Sequence, residues 1–125
     1  MTENELSYII RGCIFKVYKN LGPGLLEAVY CAALCIELEK AKVNYRANVP
    51  VPVHYDGQVL ELGFKMDILV EEKVLIEVKA IDQLGAVHHK HVITYLKLTG
   101  LKLGILVNFN SDHIENSIFR KVNGL

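Results

Sequence analysis

The chain has 125 residues, of which 51% are hydrophobic, and its 14 basic and 14 acidic residues give a formal net charge of zero. This size and apolar content predict a single globular domain over residues 1–125 and exclude a disordered chain. The balanced charge excludes a broad basic surface that coats DNA non-specifically, so any nucleic-acid contact has to come from a local patch.

The cysteines and the N-terminal sequence bear on where the protein resides. An odd number of cysteines, three, and a start without a signal peptide favour a reducing, cytoplasmic setting. Cys31 and Cys35 fall four residues apart on a predicted helix, and no third and fourth ligand are evident, so we interpret them as small core residues. No apolar run approaches about 20 residues, so no segment is expected to cross a membrane.

Two helices are predicted at the N-terminus. Thr2 followed three residues later by Glu5 is a capping-box pattern, and a helical apolar stripe continues from there to about Lys19. Residues 20–24, Asn-Leu-Gly-Pro-Gly, end this helix because glycine and proline do not continue it. A second helix is expected over about residues 25–40, with one face buried against a sheet.

Alternating apolar residues then predict two long strands. The first covers residues 43–55 and contains two prolines, which favour the sheet edge because proline lacks an amide donor. Asp56–Gly57 is a strong hairpin turn. The second strand is expected from about residue 58 to residue 70, with Gly63 marking a bulge or bend.

Residues 67–79 contain the most informative pattern, a hairpin with two different faces. If residues 71–73 form a three-residue loop, Asp67 lies directly opposite Glu77. Cross-strand neighbours are roughly 5 Å apart, where two carboxylates repel by about 3 kcal/mol at an effective dielectric of about 20. A positive charge is therefore expected between them. The opposite face is expected to be buried and entirely apolar: Met66, Ile68, Val70, Val74, Ile76 and Val78.

Two kinds of positive charge satisfy this requirement. In a structural interpretation, Lys65 and Lys79 on the same face neutralise the carboxylates as an ion network. In a functional interpretation, both carboxylates hold a divalent cation such as Mg²⁺, which takes oxygen ligands. Lys79 then orients a water molecule or stabilises developing negative charge. Spacing alone does not separate the two interpretations.

A third helix is predicted after the hairpin. It covers residues 86–99 and ends at Gly100, with His91 and Tyr95 one turn apart on one face. Histidines in its first turns suggest zinc, but no further ligand accompanies them, so we favour a solvated or substrate-facing helix.

The C-terminal part is expected to add a strand. Residues 103–109 form a short apolar run that predicts a buried strand, in which Gly104 permits close backbone approach. Residues 111–123 are compatible with a helix, or with a short terminal strand at residues 118–122.

Two motifs resemble those of a known family. Asp67 followed by Glu77-Val78-Lys79 on the next strand resembles the D…(D/E)-x-K pattern of the PD-(D/E)XK nuclease superfamily. Gly24-Leu-Leu-Glu27-Ala-Val-Tyr30 is similar to the signature of the GxxExxY proteins, a small prokaryotic branch of that superfamily. The resemblance covers about residues 5–122. It implies an α/β fold with the restriction-endonuclease-like αβββαβ core, a mixed central sheet flanked by helices, and one extra N-terminal helix.

The resemblance also implies an activity. It implies a Mg²⁺- or Mn²⁺-dependent nuclease that hydrolyses phosphodiester bonds of DNA, or less readily of RNA. Asp67 and Glu77 are the implied metal ligands, assisted by Glu27 and the backbone carbonyl of Val78. Lys79 is implied to position the attacking water. Glu27 at the start of its helix also suits the helix dipole, which is a purely structural interpretation of that residue.

Three further residues are implied to contact the substrate: Tyr30, His91 and Tyr95. Tyr30 either packs or donates a hydrogen bond to a carboxylate or phosphate. His91 stands where relatives carry a glutamine that supports the active site, although histidine can still donate to a phosphate. This departure and the balanced charge favour an alternative function, a non-catalytic nucleic-acid or protein-interaction module that retains the fold. Both functions leave open a homodimer.

Overall fold

In the computed structural model, which describes residues 1–125, two helices open the chain as predicted. Helix α1 spans Glu3–Leu21 and starts at the capping box, where the backbone N–H of Glu5 donates to the Thr2 hydroxyl. Helix α2 spans Glu27–Lys40 and packs beside α1. No helix of the structure is both long and apolar enough to cross a lipid bilayer.

The two long predicted strands are wrong in length, because each is broken into two short strands. The first divides into β1 (Tyr45–Pro50) and β2 (Val53–Tyr55), and the second into β3 (Gln58–Leu60) and β4 (Lys65–Val70). Strands β2 and β3 pair with each other as a separate two-stranded hairpin, which closes at the predicted Asp56–Gly57 turn. At the break between β1 and β2, proline has no N–H to donate to a neighbouring strand. At the break between β3 and β4, Gly63 turns the chain with a φ of 93°.

A five-stranded sheet in the order β1-β4-β5-β6-β7 forms the centre of the molecule. Strand β5 spans Val74–Lys79, and helix α3 (Ala86–Thr99) leads to β6 (Leu103–Asn108). Strands β5 and β6 are parallel, whereas the other neighbours are antiparallel, so the sheet is mixed as expected. Of the two C-terminal alternatives, the chain adopts the strand, β7 (Ile118–Val122), after a 3-10 turn. Strand β1 occupies one edge of the sheet.

The sheet has a hydrophobic core on each face. Ile68, Ile76 and Val78 pack with α1 and α2, while Leu69 and Leu75 pack with α3. Met66 is buried, but its predicted face is wrong, because it packs with Leu69 and Leu75. The change of face occurs next to an interruption in the β1–β4 ladder at Asn48, where Asn48 adopts a φ of 54°. A left-handed residue turns the strand locally and disturbs the simple alternation of side chains.

Candidate active site

Asp67 and Glu77 lie opposite each other where the ladder between β4 and β5 stops. The observed pairs Ile68–Ile76, Leu69–Leu75 and Val70–Val74 are in the predicted register. One position beyond the Ile68–Ile76 pair, each carboxylate accepts a hydrogen bond from a backbone N–H of the other strand. The N–H of Asp67 donates to Glu77 Oε1 at 3.1 Å, and the N–H of Val78 donates to Asp67 Oδ2 at 2.8 Å. These two bonds hold the carboxylates next to each other.

The facing carboxylates are difficult to ionise together. Glu77 is only 7% exposed, and burial, followed by the charge of Asp67, raises the pKa of Glu77 to about 8. Burial is also the main reason that the pKa of Asp67 is raised. Near neutral pH the pair therefore favours binding a proton or a cation over carrying two uncompensated charges.

The two lysines that could have neutralised this pair form no salt bridge with it. Lys65 is exposed, and Lys79 acts at longer range, lowering the pKa of both carboxylates against the larger effect of burial. The ion pairs of the structure lie elsewhere: Lys40–Glu37, Arg46–Glu72 and His113–Glu115. Any neutralisation of the pair by these lysines is therefore long-range and comes without a direct salt bridge.

The donor set fits a hard divalent cation. Each carboxylate uses one oxygen for the bond across the strands and has a second oxygen, Oδ1 of Asp67 or Oε2 of Glu77, available to a ligand. Mg²⁺ is commonly bound through one or two carboxylates and keeps several waters. No group of three or more His, Cys, Asp or Glu side chains is arranged to hold a metal ion. The chain would thus supply a carboxylate pair, and water and substrate would supply the other ligands.

Glu27 lies at the start of α2, near the carboxylate pair. Beyond the effect of burial, its charge raises the pKa of Asp67 and of the Cys31 thiol. Burial raises the pKa of Cys31 to about 12, which keeps this partly buried thiol neutral. Glu27 and Asp67 share a cavity of about 400 Å³ with Asn48 and five small residues: Ala28, Cys31, Ala32, Cys35 and Ala47. The fold therefore brings Glu27 to the edge of the site.

Tyr30 closes the loop between α1 and α2. Its side chain is fully buried, and its ring stacks on Phe109 with centroids 4.4 Å apart. Its hydroxyl donates to the Gly22 carbonyl at 2.6 Å and accepts from the Leu25 N–H at 3.1 Å. The structure therefore supports the packing alternative for Tyr30, because its hydroxyl proton is already used within the protein.

Helix α3 brings Tyr95 close to the carboxylates and leaves His91 in solvent. Burial, and then the charges of Glu77 and Asp67, raise the pKa of Tyr95, so its phenol lies within electrostatic range of both. The Tyr95 ring also contacts the edge of Phe64, with centroids 6.2 Å apart. His91 is exposed one turn earlier on the helix. Tyr95 thus lies within electrostatic range of the carboxylates without a direct hydrogen bond to them, and the His91 side chain faces solvent.

Asn108 was not among the predicted site residues, yet it fixes the backbone that follows Lys79. It is in register with Lys79 across the parallel β5–β6 pair and is only 5% exposed. Its amide donates to the Ile81 carbonyl at 2.9 Å and accepts from the Ile81 N–H at 3.1 Å. The one local signal for this role is a polar amide at the end of an apolar strand.

Comparisons with known proteins agree with this architecture. A sequence model of the PD-(D/E)XK nuclease superfamily matches residues 4–121. The crystal structure of SSO0001 has a similar fold, with a TM-score of 0.58, 24% sequence identity and 79% of this chain covered. The match spans 51% of the SSO0001 chain. A search of curated proteins gave no significant match. From the match over residues 4–121, the chain belongs to the PD-(D/E)XK nuclease superfamily.

Proposed function

We propose that this protein is a Mg²⁺- or Mn²⁺-dependent nuclease that hydrolyses phosphodiester bonds of DNA, and less readily of RNA. Members of its superfamily generally use divalent metal ions and act on nucleic acids. The observation that carries the proposal is the facing Asp67–Glu77 pair, held by two backbone donors and free of any direct salt bridge. The order of Gly24, Glu27 and Tyr30 further supports a place in the GxxExxY branch.

The proposal gives each residue around the pair a distinct role. Asp67 and Glu77 bind the metal directly, supported by the carbonyl of Val78. Glu27 does not complete a three-residue donor set in this structure, so it is proposed to assist through a metal-bound water. A bound divalent cation polarises a phosphoryl oxygen and makes hydroxide available near neutral pH. Lys79 holds the attacking water and offsets charge on the phosphate. This role is supported by the charge of Lys79, which lowers the pKa of both carboxylates.

Two residues of α3 are proposed to contact the nucleic acid. The Tyr95 phenol is near the carboxylates, where it can donate a hydrogen bond to a phosphate or to the leaving group. His91 is exposed on the same helix and can donate to a phosphate approaching from solvent. Tyr30 is proposed to act on stability alone, because its hydroxyl anchors the loop that precedes Glu27.

The electrostatics of the pair support function over a purely structural role. Two facing carboxylates, one of them buried, cost stability in the absence of a cation, and structural stability alone would be served better by neutral residues. Strongly shifted carboxyl pKa values in a specific charge environment are typical of functional sites. Glu77, with its pKa raised to about 8 by burial and Asp67, has this property.

A non-catalytic nucleic-acid or protein-interaction module is the second candidate function. It is favoured by the lack of a third converging ligand side chain and by histidine at position 91 in place of the glutamine expected in relatives. The two candidates share the fold and differ in one property, namely whether metal-dependent cleavage exists.

Cleavage and binding assays on the same DNA separate these candidates. Plasmid, single-stranded DNA and RNA are incubated with the protein in Mg²⁺, in Mn²⁺ or in EDTA. Lys79→Ala is expected to lower the cleavage rate by ~10²–10³, because an electrostatic group acting on the transition state is lost. DNA affinity should fall only modestly, as for one lost phosphate contact. Lys16→Ala, which removes an exposed lysine on α1, is the matched control and should retain the full rate.

Lys79→Arg provides a second variant that retains the charge. It should not restore cleavage, because a planar guanidinium replaces a compact ammonium. A wild-type protein that binds DNA and never cuts it would establish the second candidate. Cutting that survives Lys79→Ala unchanged would show that the assignment of Lys79 is wrong.

A further inference from the structure

A second cavity, of about 490 Å³, lies where the parallel strands β5 and β6 end. Its walls come from the loop after β5, the first turn of α3 and the segment between β6 and β7. This volume is within the range of small-molecule sites, about 300–1,000 Å³. Asn108, the neighbour of Lys79 across the sheet, forms part of its lining. Adjacent strands are about 4.8 Å apart, so the cavity begins one strand away from Lys79.

The lining of this cavity suits a neutral polar ligand. Two aspartates line it, Asp82 and Asp112, and no lysine or arginine does, although the Lys121 ammonium lies behind the wall, 5.9 Å from the Phe119 ring; the lining itself therefore disfavours a phosphate. Carboxamide side chains provide both donors and acceptors. The Asn110 amide is partly used, since it donates to Asp82 at 3.3 Å, whereas the side chains of Gln83 and Asn116 are free to bind a ligand.

His89 lines the cavity, and one atom of its ring is buried without a hydrogen-bond partner. Nδ1 of His89 is shielded from solvent and makes no hydrogen bond. The ring is held edge-on against Phe119, with centroids 4.9 Å apart. Burial, and then the charge of Lys121, lower the pKa of His89, so at neutral pH the ring offers one donor and one acceptor. A buried polar group without a partner is unfavourable, and because Nδ1 is shielded, a ligand in the cavity reaches it only if the ring moves.

These features match the chemistry of a nucleobase. A base is flat and neutral, and its edge presents hydrogen-bond donors and acceptors that amides and a neutral imidazole can pair with. Phe119 and His89 add aromatic surface to the wall. A base inside a duplex could not enter, because its edge is paired and its faces are stacked.

We propose that this cavity binds an unpaired nucleobase adjacent to the phosphate that Lys79 contacts. The inference rests on the proposed nuclease function and deepens it by naming the substrate class, a single-stranded or locally unpaired nucleic acid. Asp82 and Asp112 direct the phosphates away from the cavity, while Gln83 and Asn116 bind the edge of the base.

The test measures binding of a single-stranded DNA oligonucleotide in EDTA, where cleavage does not interfere. An abasic site is moved along the oligonucleotide one position at a time. Affinity should fall about tenfold at one position, the effect of losing two ordinary hydrogen bonds, and change little at the others. The double variant Gln83→Ala/Asn116→Ala should bind intact DNA about tenfold more weakly than the wild type does. On DNA with the abasic site at the sensitive position, the variant and the wild type should bind with equal affinity. Asn20→Ala/Gln58→Ala removes two exposed amides elsewhere and serves as the control.

The possible failures are distinguishable. Equal affinity for intact and abasic DNA at every position would overturn the inference and leave the nuclease proposal intact. The same conclusion follows if the cavity variant weakens intact and abasic DNA equally. A wild-type protein that neither binds nor cleaves any oligonucleotide would overturn both proposals.

Discussion

Glu77 is a buried carboxyl group whose protonation is coupled to folding. Burial and the facing Asp67 raise its pKa from an ordinary value of 4.5 to about 8. Between these two pH values the folded protein retains a proton that the unfolded chain has released. The stability associated with this group is therefore fully present below pH 4.5 and is lost as the pH rises through about 8.

Metal-free protein should accordingly become less stable as the pH rises from 6 to about 8.5. Glu77→Gln keeps an oxygen that can accept from the Asp67 N–H but removes the titration, so its stability should depend less on pH. The difference between the two proteins should reach a few kcal/mol, on the order of the shift in pKa. Thermal unfolding in EDTA across this pH range measures it. Parallel pH profiles for wild type and Glu77→Gln would contradict the assignment.

Two tyrosines near the site should respond differently to loss of the hydroxyl. Tyr30→Phe removes the bridge between Gly22 and Leu25 and should cost about 1–3 kcal/mol of unfolding free energy, with cleavage per folded molecule unchanged. Tyr95→Phe should leave stability nearly unchanged and slow cleavage. Chemical denaturation and initial rates on both variants make the comparison. The opposite pattern would return Tyr30 to the substrate-binding residues.

At the scale of secondary-structure elements, the contact between α3 and β6 depends on a missing side chain. A Cβ added at Gly104 would lie 2.6 Å from Cγ1 of Val92. Gly104→Ala should therefore push the helix away from the sheet and cost about 1–3 kcal/mol. Gly12→Ala is the matched control, because its Cβ meets nothing within 4 Å on α1 and alanine favours a helix. Urea denaturation of both variants checks this, and equal stability would show that α3 adjusts without cost.

The β2–β3 hairpin is the element that we expect to open most readily. It pairs with no strand of the five-stranded sheet, and Tyr55 at its tip is 72% exposed. A two-stranded hairpin is marginal by itself, whereas β5 and β6 are buried and paired on both sides. Amide hydrogen exchange should therefore be much faster over residues 53–60 than over β5 and β6. Equal protection would show that the hairpin is held by contacts as strong as those of the sheet.

Elements with a strong local signal were predictable from the sequence. The Thr2–Glu5 capping box marks the start of α1 by its hydrogen bonds, and Gly100 marks the end of α3 by its φ of 77°. Both are local properties of the chain. The loop 71–73 fixed the register that sets Asp67 against Glu77. The division of the two long strands was not predictable from the sequence. Apolar residues keep alternating through each break, and the position of the break depends on which of the two sheets each half joins.

At the scale of the whole molecule, the parts of the site that escaped prediction depend on distant segments. Tyr30 looked available for a ligand in the sequence, but Phe109 from the far end of the chain covers its ring. The polar cavity next to Lys79 is lined from three separate segments, so no local spacing indicates it. The one sequence feature that accompanies this cavity is a group of asparagine, serine and aspartate residues after β6. Such groups usually mark a loop.

The folded molecule is proposed to bind a divalent cation through Asp67 and Glu77. A cation that binds the Asp67–Glu77 pair of the native state, and not the unfolded chain, stabilises folding by mass action. At a metal concentration 100 times the Kd this amounts to about 2.7 kcal/mol. Asp67→Asn removes one of the facing charges and keeps an oxygen that can accept from the Val78 N–H, so the fold should be retained.

Thermal unfolding with and without Mg²⁺ or Mn²⁺ tests this claim most directly. The Tm of the wild type should rise with metal concentration, and Asp67→Asn should abolish that rise. In EDTA the variant should melt above the wild type, because the repulsion between Asp67 and Glu77 is relieved. No shift at millimolar metal, with wild type and Asp67→Asn melting at the same temperature, would contradict the account.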